Sequence, residues 1–186
     1  FENDYTKQTG TLELTKTIKG DITKEEAEGA LTFEIKAENG KYLGKDGKLT
    51  EDKTELTLAD FEHEAGSDSY TLKIENVDLG NYTVTETTKD IDGREYTVKY
   101  SVNGGDQEEG SEAAAEVVKN ETTTVDFEDD YRKLAGTLEL TKTIKGDITE
   151  EEANGALRFE ITTEDGKWIG KDGKLTDQKA ELTLAD

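Results

Sequence analysis

The chain has 186 residues, with 23 basic and 45 acidic side chains, a formal charge of −22, and no Pro, Cys or Met. Without cysteine there is no disulfide framework and no thiolate metal centre, and no apolar run reaches the length of a membrane span. A surface this acidic repels phosphate, so nucleic acid is excluded as a partner, and no secretory leader or sorting tail is read in the stretch.

A charged fraction of 37% leans toward disorder, but the chain repeats itself. Residues 11–35 return at 137–161, an offset of 137 − 11 = 126, and the same offset relates Phe1–Tyr5 to Phe127–Tyr131. Aligning 1–60 with 127–186 gives 45 identities in 60. The expected organisation follows: 1–5, last strand of a preceding repeat; 6–10, linker; 11–131, a complete repeat; 132–136, linker; 137–186, the N-terminal part of the next repeat. Near-identical units joined by short connectors read as beads on a rod. The half repeat 137–186 reads either as an excerpt of a longer array or as a unit completed by another chain.

In chain order, alternation of period two dominates. Leu12, Leu14 and Ile18 share a face of the first strand, and Leu31, Phe33 and Ile35 do so in the second. Asn39–Gly40 and Asp46–Gly47 mark tight turns. Strands follow around Leu56 and Leu58, around Tyr70, Leu72 and Ile74, around Tyr82 and Val84, and from Tyr96 to Val102; Val125, Phe127 and Tyr131 close the unit. Thr23 to Glu26 has capping-box spacing and predicts a short helix. Residues 112–118 read as helix or strand. Seven or more short strands in about 120 residues predict an all-β fold, an antiparallel β-sandwich with short helical segments.

Three charged residues break the alternation. Lys16 shares the inward face with Leu12, Leu14 and Ile18; Glu86 shares it with Tyr82 and Val84; Asp129 shares it with Val125, Phe127 and Tyr131. Burying them costs several kcal/mol unless they meet. One reading is a buried ion pair or triad with no covalent bond; another is a frayed strand end that exposes one of them. The third is chemical. Desolvation favours a neutral amine, which is a nucleophile, and a protonated carboxyl, which is an electrophile. A carboxylate alongside shuttles protons, and the product is a Lys16–Asp129 amide released with one water.

The other motifs read as structure. Asp90 to Gly93 lacks the later ligands of a calcium loop and is a turn. Asp106 to Glu109 is an acidic loop, Asn103–Gly105 a turn, and His63, the single histidine, a surface residue. Tyr42, matched by Trp168 in the next copy, is a packing aromatic. No metal site and no cofactor are expected.

Three segments together resemble the isopeptide-forming domains of Gram-positive surface proteins, the Cna-B-type repeats of collagen adhesins and streptococcal backbone-pilin domains. Residues 12–17 read Leu-Glu-Leu-Thr-Lys-Thr, residues 80–86 Gly-Asn-Tyr-Thr-Val-Thr-Glu, and residues 127–131 Phe-Glu-Asp-Asp-Tyr. The resemblance implies tandem Ig-like, Cna-B-type sandwiches at a bacterial surface, wall-attached or in a pilus. It implies a spontaneous intramolecular amide with Lys16 as nucleophile, Asp129 as acceptor and Glu86 as catalyst, and no turnover enzyme. Lys142 and Asn3 are the equivalents in neighbouring repeats; an Asn acceptor releases ammonia where Asp releases water. The expected function is a stalk or pilus-shaft repeat whose partners are neighbouring copies, in cis or as a polymer. The alternative is an adhesin module whose exposed loops grip a host protein or glycan. The 15 differences among 60 aligned positions are scattered, which favours the stalk.

Overall fold

A computed structural model describes residues 6–186 and divides the chain into two compact units that meet at the Gly136–Thr137 bond.

The first unit opens with β1 (Thr9–Gly20), whose alternating burial puts Leu12 and Leu14 inside. Helix α1 (Lys24–Ala30) follows. The Thr23 hydroxyl accepts from the Glu26 amide (3.2 Å) and the Glu26 carboxylate accepts from the Thr23 amide (2.9 Å), so the capping box read in the sequence is formed. Next come β2 (Thr32–Ala37), β3 (Tyr42–Leu43), β4 (Leu49–Thr50), β5 (Leu56–Thr57), a 3-10 turn at Leu58–Asp60, and β6 (Glu62–His63). The long strands β7 (Ser69–Asp78), β8 (Gly80–Thr88) and β9 (Arg94–Val102) then lead through β10 (Glu108–Glu109) and β11 (Glu112–Val117) to β12 (Thr122–Lys133).

These strands form two six-stranded sheets, one ordered β10-β9-β12-β1-β7-β6 and the other β11-β8-β2-β3-β4 with β5 also on β2. The fold is all-β and sandwich-like, as expected. One core lies between the sheets, filled by Leu12, Leu14, Leu31, Phe33, Ile35, Ile74, Val84, Val125, Phe127 and Tyr131 among others. Each such residue stabilises by about 1.5–3 kcal/mol through the apolar surface it removes from water.

Three features sharpen or correct the sequence reading. The first and last strands of the unit, β1 and β12, lie side by side and run parallel, in register from Thr11 opposite Thr122 to Gly20 opposite Tyr131. The remaining strand pairs of the unit are antiparallel. Parallel neighbours need a long crossover, and here nearly the whole unit supplies it. Residues 112–117 settle as a strand. Ala113, Ala115 and Val117 alternate into the core and pair with β8, which overrides the helix propensity of alanine. The acidic loop likewise contributes Glu108 and Glu109 to a short edge strand against Tyr100 and Lys99.

The second unit, Thr137–Asp186, holds helix α2 (Glu150–Ala156), capped by Thr149 as α1 is by Thr23, and a hairpin of β13 (Trp168–Ile169) and β14 (Leu175–Thr176). Residues 137–149 are identical to 11–23, yet 137–146 form no strand, and Leu138 and Leu140 are exposed. The cause is the missing neighbours. In the first unit this sequence lies between β12 and β7, whose counterparts fall outside the 137–186 stretch. Among the described residues no helix is long and apolar enough to cross a membrane.

Candidate functional site

Strand β1 is central in its sheet, flanked by β12 and β7, and β8 is central in the facing sheet, flanked by β11 and β2. A side chain at the middle of either strand therefore points into the deepest part of the core. Lys16 does so from β1, and Glu86 does so from β8. Asp129 comes from β12, two residues beyond Phe127, the direct partner of Lys16 across the parallel ladder. Such a diagonal neighbour is within reach of a long side chain.

All three residues are at most 1% exposed. Lys16 Nζ lies 2.8 Å from Glu86 Oε1 and also contacts Asp129 Oδ1. These contacts are close but poorly aligned. Lys16 Nζ, both oxygens of Glu86 and Asp129 Oδ1 make no well-formed hydrogen bond among the described residues. Burial pushes the Glu86 carboxyl up to about 7; the Lys16 ammonium opposes the rise and Asp129 adds to it.

An aromatic shell seals the cluster. The Phe33 ring centre is 5.9 Å from Lys16 Nζ and packs against Phe61 (5.4 Å) and Phe127 (6.0 Å). On the other side Tyr131, itself buried, packs tilted against Tyr96, ring centres 5.8 Å apart. Its hydroxyl lies 3.0 Å from Asp129 Oδ2 and 2.8 Å from the Lys89 carbonyl oxygen. The sequence marked Tyr131 only as a core residue. The signal that could have shown more is its position two residues after Asp129, on the same face.

The structure thus brings Lys16, Glu86 and Asp129 together. Lys142, the second-copy counterpart of Lys16, is exposed and lies outside any strand, because its segment lacks sheet neighbours. Asn3 lies outside the described residues. His63 is half-buried, stacked on Tyr70 at 4.3 Å, with Nδ1 3.1 Å from the Ser69 carbonyl oxygen. Tyr42 and Trp168 each sit beside a lysine, Lys36 at 5.6 Å and Lys179 at 5.8 Å.

A lysine between two carboxyl groups, flanked by aromatic rings inside a two-sheet sandwich, defines a β-sandwich with a buried charged cluster. The chain belongs to the DUF5979 family, a domain of unknown function whose model matches residues 12–132. No curated protein matches it. Among solved structures it is similar to a variant of the major pilin of Streptococcus pyogenes (19% identity over 66% of this chain and 48% of the pilin, TM-score 0.36). It is also similar to GBS52, the minor pilin of Streptococcus agalactiae (20% identity, 73% of this chain and 50% of the pilin, TM-score 0.38). A third is the pilus-presented adhesin Cpa (26% identity, 66% of this chain and 26% of the adhesin, TM-score 0.38). The chain spans about half the length of the pilins it matches.

Proposed function

We propose that the first unit is a load-bearing repeat of a bacterial surface fibre, locked by an intramolecular amide between Lys16 and Asp129 with Glu86 as proton shuttle. The observation that carries this reading is the cluster itself: one amine and two carboxyls, fully buried, in contact, and without well-formed hydrogen bonds.

Charge sets the chemistry. One ammonium cannot neutralise two carboxylates, and a net charge in such a core is costly. The cluster therefore holds one further proton. When that proton sits on Asp129 and Glu86, pushed up to about 7, takes the one on the ammonium, the amine of Lys16 is neutral. Its lone pair attacks Cγ of the protonated Asp129 carboxyl. Glu86 gives its proton to the departing oxygen and, as the carboxylate, accepts one from the new C–N nitrogen, so it ends as it began. The C–N bond forms, the C–O bond breaks, and one water leaves. Contact between the groups supplies the effective concentration that free side chains lack.

The amide has a mechanical sense. Parallel β1 and β12 begin at one end of the sandwich and finish at the other. Tension applied at Thr9 and at Lys133 runs along β1 to Lys16, across the amide and along β12 from Asp129. The 129 − 16 − 1 = 112 residues of intervening sequence are spared. Near-identical copies with short connectors suit a filament displayed outside the cell. Copies of the repeat, in cis or as a polymer, are its partners. The chemistry occurs once per unit and consumes its own side chains, so no turnover enzyme results. Tandem mass spectrometry of a tryptic digest tests the assignment. A branched peptide joining the Lys16 and Asp129 segments is expected; the two segments recovered as separate linear peptides would exclude it.

A further inference from the structure

The Tyr131 hydroxyl stands between two oxygens, Lys89 O at 2.8 Å and Asp129 Oδ2 at 3.0 Å. A phenol carries one proton and can donate only once. A backbone carbonyl can never donate, whereas a carboxyl oxygen can. If the phenol donates to Asp129, its oxygen and the Lys89 carbonyl oxygen face each other at 2.8 Å with no proton between them. That contact is repulsive and partly shielded from water. If the phenol donates to Lys89, both contacts become hydrogen bonds provided Asp129 Oδ2 bears a proton. Only the second arrangement makes hydrogen bonds of both Tyr131 contacts.

We propose that Tyr131 is a positioning residue: its proton is committed to the Lys89 carbonyl, it accepts from Oδ2 of Asp129, and so it holds Asp129 as the neutral acid with Oδ2 as the departing oxygen. The leaving-group half of this rests on the amide reading above; the protonation half does not. Burial, with Asp129 and Glu86 nearby, raises the phenol, so the hydroxyl keeps its proton. The groups facing Asp129 are Lys16 from β1, Glu86 from β8, and Tyr131 from its own strand, with Tyr96 of β9 behind Tyr131. Tyr131 thereby assigns the extra proton that the cluster needs for neutrality. It leaves Oδ1, the oxygen in contact with Lys16, as the carbonyl oxygen of the electrophile.

The arrangement also accounts for a choice in the sequence. The preceding copy has Asn3 where this one has Asp129, and both have tyrosine two residues later, Tyr5 and Tyr131. An accepting phenol suits either residue, because a protonated carboxyl and a side-chain amide both present a donor on the atom that departs. A phenol donating to the departing atom would suit only the carboxylate, since the amide nitrogen cannot accept.

The test turns on direction. In the full chain carrying Lys16→Met, which blocks the amide and leaves the two buried carboxyls to share a proton, with 13C-labelled aspartate, the infrared carbonyl band of a protonated carboxyl is expected at neutral pH. Adding Tyr131→Phe is expected to weaken or abolish it. A band unchanged or strengthened by Tyr131→Phe would overturn the proposal, since removing a donor would favour the protonated acid. In the chain with Lys16 intact, 3-fluorotyrosine at position 131 keeps the ring but makes the oxygen a poorer acceptor. Water loss on refolding is then expected to slow, roughly tenfold for each unit by which the acid form is disfavoured; an unchanged or faster rate would overturn the proposal. If the parent chain keeps its full mass, the amide reading falls, and the infrared comparison still decides the role of Tyr131.

Discussion

Lys16 and Glu86 belong to opposite sheets, yet Nζ and Oε1 stand 2.8 Å apart in the middle of the sandwich. Asp129 reaches the same point from the strand beside Lys16. The cluster thus ties together the first strand, the last strand and the facing sheet.

Stability should depend on the amide more than on any single packing contact. Closing a loop of 113 residues stabilises by about 4–5 kcal/mol in the chain-entropy estimate used for disulfides. Glu86→Gln, which keeps the shape and removes the proton shuttle, should lower the unfolding free energy by about that amount. Guanidinium unfolding curves of the two proteins measure the difference. Reducing agent should change neither curve, since the chain has no cysteine.

The rate of amide formation should fall as pH rises through neutrality. Burial, with Asp129 beside it, raises Glu86 from 4.5 to about 7, so the folded, unreacted chain holds a proton in the Glu86–Asp129 pair that the unfolded chain has released. The stability tied to that proton is complete below about pH 4.5 and lost as pH rises through about 7. Above that point the cluster is one proton short and Lys16 stays an ammonium. Refolding at about pH 5.5 and at about pH 8.5, followed by mass, should show faster water loss at the lower pH. A rate that climbs steadily with pH would contradict this proton count.

Phe33 packs over Lys16 and against Phe61 and Phe127. Phe33→Ala should destabilise by about 3–5 kcal/mol through the cavity it leaves. It should also slow water loss, because water reaching the cluster restores the charged amine. Calorimetry and mass measured on the same samples separate the two effects.

How far these elements could be read from the chain differs from case to case. Strand parity follows from backbone geometry, so the inward faces of β1, β8 and β12 were legible, including the places where Lys16, Glu86 and Asp129 replace apolar residues. Parity says which face a residue occupies but not which strand lies beside it, and the parallel pairing of β1 with β12 stayed hidden. Ala113 to Val117 shows tertiary pairing overruling propensity. The segment 137–146 makes the same point in reverse: its residues match those of 11–20, and without neighbours it forms no strand. The Tyr131 hydroxyl bridge depends on where Lys89 carries its carbonyl, which no local pattern encodes.

The two copies offer an internal control. A Cβ at Gly10 would collide with the Val118 carbonyl oxygen and the Val117 side chain, whereas at Gly136, its counterpart 126 residues on, nothing lies within 4 Å. Gly10→Ala should destabilise the first unit by about 1–3 kcal/mol, and Gly136→Ala should leave it unchanged. Paired thermal melts check this.

Intact-mass spectrometry of the denatured full chain tests the central claim most directly. The account predicts a mass one water below that calculated from the sequence, and the full calculated mass for Glu86→Ala. The full calculated mass in the unsubstituted protein would contradict it.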